Sequence, residues 1–255
     1  MRSVERVLTV GVDLAASAAT TAVAVLDWTS SPYVVDLVLP ADDDAVVNAC
    51  RDATKIGLDC PLGWPEPFVE FVTAHRDGRP VAPAGTVGER RALAYRATDL
   101  HCQTLGMRPL SVSADRIGHA AFRSAALLPR LDAGTDRSGA GRVVETYPAG
   151  SLRRWGDANP HGYKRSSGIT GQARLAAKVA WLLDVLPLSF GSDAVERACT
   201  TSDHAFDAVI AGITARLTLE PGAVDPIPIH LRECARVEGW IAVPTAGSLR
   251  DLATR

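Results

Sequence analysis

The chain has 255 residues, 47% of them hydrophobic and 22% charged, with 27 basic against 29 acidic residues and a net charge of -2. That balance excludes a disordered chain and supplies enough apolar material for one large core. It also removes the bulk positive field that draws in nucleic acid, so any such contact needs a local patch.

The longest apolar stretch, 14–26, lies between Asp13 and Asp27. It is shorter than the ~20 residues needed to span a bilayer. Arg2 and Arg6 ahead of an apolar run look like a signal peptide, but Asp13 interrupts the run and argues against one. The five cysteines, Cys50, Cys60, Cys102, Cys199 and Cys234, are odd in number and never form C-x-x-C. They are expected to be reduced thiols of a cytoplasmic protein, with neither a zinc site nor a disulfide framework. Only Lys55, Lys164 and Lys178 among the basic residues are lysines, which reads as compositional bias.

Strands are expected at 7–13 (VLTVGVD), 21–27 (TAVAVLD) and 33–39 (YVVDLVL), joined by short turns into an antiparallel meander. A helix follows over 41–53, its start marked by Asp42, Asp43 and Asp44, which suit the positive end of the helix dipole. A fourth strand, 55–59 (KIGLD), comes after this crossover and should run parallel to the first strand. The first strand is expected between the third and the fourth. The Pro- and Gly-rich segment 60–67 must turn, and it opens a long insertion, about 60–141, within a single domain spanning 1–255. Helical pieces are expected within the insertion near 89–105 and 114–131, then a mobile Gly-rich loop over 132–141. A fifth strand, 142–147, ends at Pro148; an amphipathic helix spans 171–186; Ser202 caps a last long helix reaching about 219; and 238–243 forms a final strand or a docking segment.

Four carboxylates fall at telling places. Asp13 ends the first strand and Asp59 the fourth, Glu145 lies at the end of the fifth, and Asp207 sits one turn inside the helix capped by Ser202. Ligands of open α/β sheets gather at the carboxyl ends of parallel strands, where Asp13 and Asp59 converge. Clustered carboxylates repel one another and are hard to desolvate together, a cost that a divalent cation removes. Hard oxygen donors suit Mg2+ or Mn2+, and two such ions about 3.5–4 Å apart activate water and stabilise the leaving oxygen of a phosphodiester. Each residue also has a plainer reading. Asp13 can simply start a loop, and Glu145 can pair with Arg142 or Arg153. Asp203, in the first helical turn, is expected there for the dipole alone, with a second ligand as the alternative reading.

The segments GVDLAASAATTAVAVL, GLDCPLGWP, YRATDLHCQ, SADRIG, VETYPAGSLRRW, SDHAFDAVIAGITA and EGWIAVP, in this order, resemble the domain-of-unknown-function 429 family of predicted RNase H-like nucleases. The resemblance implies an RNase H-like mixed sheet, its first three strands antiparallel and the next parallel, flanked by helices. It implies that Asp13, Asp59 and Asp207 occupy the acidic positions of that superfamily and Glu145 a family-specific one. The expected activity is metal-dependent phosphodiester hydrolysis, with nucleic acid or a small phosphodiester as substrate and catalytic residues Asp13, Asp59, Glu145 and Asp207, of which the three aspartates hold Mg2+ or Mn2+.

Around these, Arg96 and Arg116 are candidates for a substrate phosphate, Arg96 with Asp99 orienting it at i, i+3 or else as a surface ion pair. Trp64 either walls the site or packs in the core. Arg153, Arg154 and Trp155, with Lys164 and Arg165, can hold a nucleic-acid backbone and stack a base, or form a solvated face around a buried ring. Two other functions share the fold: an actin-like or sugar-kinase-like nucleotide-binding protein, with the turn 15–20 facing phosphates, and a non-catalytic binding protein. Against the first, the chain is short for two facing domains and lacks the usual Gly-Thr-Thr turn.

Overall fold

A computed structural model of the chain describes residues 6–80, 86–113, 115–164 and 168–254. It contains a six-stranded mixed sheet built from β1 (Leu8–Asp13), β2 (Ala22–Asp27), β3 (Tyr33–Val38), β4 (Lys55–Asp59), β5 (Val143–Glu145) and β6 (Ser189–Phe190). The order is β5-β4-β1-β2-β3-β6, antiparallel from β1 to β3 and parallel for β4 and β5, consistent with the expected RNase H-like arrangement. The first strand lies between β2 and β4 and does not touch β3. Short turns make the meander pair its strands in chain order, so β2 separates the two. β6, two residues on the far edge beside β3, carries no sequence signal of its own.

Alternation along the strands sorts the two faces. Val10, Val12, Ile56, Leu58 and Val143 point to one face. That face is covered by α1 (Asp43–Cys50) and by the end of α5 (Asp115–Leu127) with the turn after it, through Val46, Cys50, Leu127, Leu128 and Leu131. Asp42 caps α1 by accepting from the Ala45 N–H at 2.8 Å.

The insertion contains two helices before α5 where one was expected, α3 (Val87–Ala94) and α4 (Ala97–Thr104), preceded by the unforeseen α2 (Glu66–Arg76). The break falls at Tyr95 and Arg96, both with extended backbone. The loop over 132–141 is tied down. Lys55 Nζ donates to the carbonyls of Gly139 and Gly141, and Arg137 bonds the carbonyls of Arg236 and Val237.

The other face receives α9 (Asp203–Leu217), supported by α6 (Pro148–Arg154), α7 (Gly168–Val185) and α8 (Asp193–Thr201). Ser202 caps α9, but α10 (Arg232–Glu238) and α11 (Ser248–Ala253) follow it. Of the two expectations for 238–243, a final strand or a docking segment, the second holds: the segment is buried and joins the sheet through one bridge, Ile241 to Glu145. The helix α9 lies unusually close to the sheet because glycines form the contact. A Cβ at Gly11 would come 1.9 Å from the Ala208 carbonyl oxygen, and one at Gly57 would come 2.3 Å from that of Ala211. Both partners are backbone and cannot swing away. Gly57→Ala should therefore lift α9 and lower stability by about 1–3 kcal/mol or more, seen as a lower urea midpoint. An unchanged midpoint would show that the helix docks with room to spare.

Candidate active site

β1 and β4 run side by side with Asp13 in register with Asp59, so both carboxylates leave the sheet at its carboxyl edge on the α9 face. Asp207, one turn into α9, is brought over them by the glycine contact. One oxygen from each of Asp13, Asp59 and Asp207 lies within 4.8 Å of the others. Such a group of hard oxygen donors is able to hold a divalent cation.

The three carboxylates have different surroundings. Asp207 is fully buried and accepts hydrogen bonds from the Tyr163 hydroxyl and from Lys164 Nζ. Burial, with the Asp13 charge adding to it, outweighs the downward pull of Lys164 and Tyr163 and leaves its carboxyl raised to about 6. Asp13 is bonded to His204 Nδ1 at 2.6 Å. That bond holds the imidazole above its ordinary range, against the effect of partial burial. Asp59 receives no side-chain hydrogen bond from any described residue, and burial with the charges of Asp13 and Asp207 pushes its carboxyl well above the usual range. Since the folded protein takes up these protons before the unfolded chain does, the metal-free protein should gain stability as pH falls from neutrality through about 6 toward 3.8. Thermal melts in EDTA across that range check this. A melting temperature that falls with pH over that range would mean the carboxylates are not in mutual repulsion.

Glu145 stands apart from the triad. It is in register with Leu58, whose side chain points away from α9, so Glu145 leaves the sheet on the face opposite Asp59. There both its oxygens are taken by Arg96, from Nη1 and Nη2 at 2.6 Å each, and the Leu62 N–H donates to it at 3.1 Å. Its partner is neither Arg142, which bonds carbonyls of 50 and 51, nor Arg153. Arg96 is only 1% exposed and also bonds Asp99 through Nη2 at 2.9 Å and Nε at 3.2 Å. The guanidinium expected at a substrate phosphate is thus enclosed between two carboxylates, and the surface ion pair is a buried one. Glu238, also buried, accepts from the Glu66 and Ala97 N–H groups and binds the starts of α2 and α4 to α10.

Arg116 lies in the first turn of α5, and its side chain falls outside the described residues. Trp64 is half-buried and stacks on Phe122 at 6.0 Å between ring centres, outside the lining of the cleft. The cleft beside the triad has a volume of about 350 Å3, with Asp13 and Asp59 at its acidic end and Leu14, Leu110, Ile117 and Ala120 on its apolar walls.

Two site residues, Tyr163 and His204, were not singled out from the sequence, and Lys164, read there as part of a basic patch for a nucleic-acid backbone, instead bonds Asp207. Tyr163 and Lys164 lie in the irregular segment before α7, where no periodicity marks them. His204 precedes Asp207 by three positions on one helix, and that i, i+3 spacing was a usable signal.

The fold and the triad define a mixed α/β protein whose carboxylate cluster is able to hold a divalent cation. The family model described as protein of unknown function (DUF429) matches residues 11–233, and the chain belongs to that family. The match ends before Glu238–Pro244 of the EGWIAVP segment. No curated protein and no solved structure matches the chain. All five cysteines are free thiols. Among the described residues, no helix is long and apolar enough to cross a membrane.

Proposed function

We propose that this protein is a divalent-cation-dependent phosphodiesterase of the nuclease type, with Asp13, Asp59 and Asp207 as the cation ligands. The observation that carries this reading is Asp59, a carboxylate without a hydrogen-bond donor among the described residues, held within 4.8 Å of two other carboxylates. Among the described residues, three ionised carboxylates against the ammonium of Lys164 leave two negative charges uncompensated when His204 is neutral. That deficit and the all-oxygen donor set fit Mg2+ or Mn2+. A bound cation would supply Lewis-acid activation of water and stabilisation of the leaving oxygen.

The remaining work falls to the chain. Asp13 and Asp59 are aimed by adjacent strands and need no loop to position them. His204 fixes the rotamer of Asp13, and Tyr163 with Lys164 fixes that of Asp207. Glu145 and Arg96 also line the cleft, and as a buried ion pair they hold its edge in a structural role. The apolar walls at Leu110 and Ile117 exclude water and take the uncharged part of the substrate.

Mn2+ should raise the melting temperature, because it binds the folded state and not the unfolded chain. The same ion should support hydrolysis of bis(p-nitrophenyl) phosphate. A protein indifferent to Mg2+ and Mn2+ in both assays would end this reading.

A further inference from the structure

Beyond the triad, the cleft opens past Tyr147 and Pro109 into two adjoining depressions of about 240 and 550 Å3. Gly106, Met107, Arg108 and Arg153 line both of them. Arg108 and Arg153 are exposed, and neither forms an ion pair with a described carboxylate. Arg91, further along, bonds Gln103 and lies 5.5 Å from the centre of the Tyr95 ring, also without a described carboxylate partner. Three guanidiniums left unneutralised along one groove are unusual in a chain of net charge -2, where most of the other described arginines form ion pairs or bond carbonyls. The contrast is clearest within Arg153–Arg154–Trp155. Arg154 is taken by Asp225 and the Pro244 carbonyl, and Trp155 is buried on Ser248, leaving Arg153 alone facing the groove.

Gly106, at φ +78°, keeps that groove open. The Arg153 guanidinium lies over it, where a Cβ would come 3.1 Å from Nη2. Aromatic rings alternate with the charges: Tyr95 beside Arg91, and Tyr147 with His161, their rings 6.4 Å apart, beside Arg153.

We propose that this groove binds a single-stranded nucleic acid whose phosphates lie on Arg153, Arg108 and Arg91, and which leads into the carboxylate triad. Guanidiniums strung along a groove suit a phosphate backbone, and rings set inside a groove are reached only by unpaired bases. The inference deepens the phosphodiesterase reading and rests on it for where the strand is cut.

The test is fluorescence anisotropy of a labelled oligothymidylate and oligouridylate, in Ca2+, against wild type, Arg108→Glu/Arg153→Glu and, as a charge control on α11, Arg250→Glu. The groove variant should weaken binding at least about tenfold and reduce the salt dependence by about 1.4 in log–log slope, two contacts at about 0.7 each. Arg250→Glu should bind within twofold of wild type. If the charge-reversed protein melts low, Arg108→Ala/Arg153→Ala replaces it and the slope is the readout. Equal binding by the groove variant and the control overturns the proposal. So does poly-glutamate, or a duplex of the same sequence, binding as tightly with the same arginine dependence. Arginine-dependent binding with no response to Mn2+ would leave the groove standing and end the phosphodiesterase reading. A response to Mn2+ with arginine-independent binding would do the reverse.

Discussion

Asp59→Asn should leave the metal-free protein as stable as wild type, or more stable, while abolishing the rise in melting temperature with Mn2+. The two halves of this result come from one fact. Asp59 lies between Asp13 and Asp207 and takes no hydrogen bond from a described side chain, so its negative charge opposes the fold in the absence of a cation. Asparagine keeps the shape and removes the repulsion. With a cation present the sign reverses, because a ligand oxygen and a charge are lost together. At a concentration a hundred times its dissociation constant, a ligand stabilises the folded state by about 2.7 kcal/mol. The mutant should forfeit most of that, and hydrolysis should fall by orders of magnitude. Calorimetry with EDTA and with Mn2+, on both proteins, gives all four values. A mutant that melts far below wild type in EDTA would mean that Asp59 has a structural partner, and the metal site would lose its main support.

The second large effect is expected at Arg96. Its removal as Arg96→Ala leaves Glu145 and Asp99 buried with no cation, and breaking one partner out of a buried pair costs about 3–5 kcal/mol. Against the 5–15 kcal/mol typical of a whole domain, this approaches global unfolding. Arg96→Lys should recover only part, since an ammonium cannot reproduce the two parallel bonds to Glu145. The double replacement Arg96→Met/Glu145→Gln should be less damaging than the sum of its single changes, because it removes the uncompensated charge. Urea unfolding of the full cycle measures this coupling. If Arg96 instead held a substrate phosphate, Arg96→Lys would keep full stability and lose activity, and the cycle would show no coupling.

These residues also mark how far the sequence was legible. Asp13 and Asp59 could be read because strand alternation ends on them, and parallel pairing follows from the helical crossover between them. Asp207 could be read because a charge on an otherwise apolar helix face needs a reason. Glu145 could not be assigned in the same way. Whether it joins Asp59 depends on a one-residue register between β4 and β5, and that register inverts the face. Arg96 was hidden by a helical pattern over 89–105 that reads as continuous; the break at Tyr95 turns the guanidinium inward. The three lysines look like compositional bias, yet each has a definite partner: loop carbonyls for Lys55, Asp207 for Lys164 and Asp157 for Lys178. Those contacts join distant parts of the chain, and no local pattern encodes them.

The glycine contact between α9 and the sheet couples the geometry of the carboxylate triad to folding. Two of the three carboxylates belong to the sheet and the third to the helix, and the close approach at Gly11 and Gly57 brings them within 4.8 Å of one another. Cation affinity is then a gauge of that spacing. A change that eases the helix outward by a fraction of an ångström would dilute the site before it registered as unfolding, so substitutions along the seam should weaken cation binding in proteins that still melt cooperatively. Loop changes around α2 and α3, which supply none of the ligands, should leave the gauge reading the same.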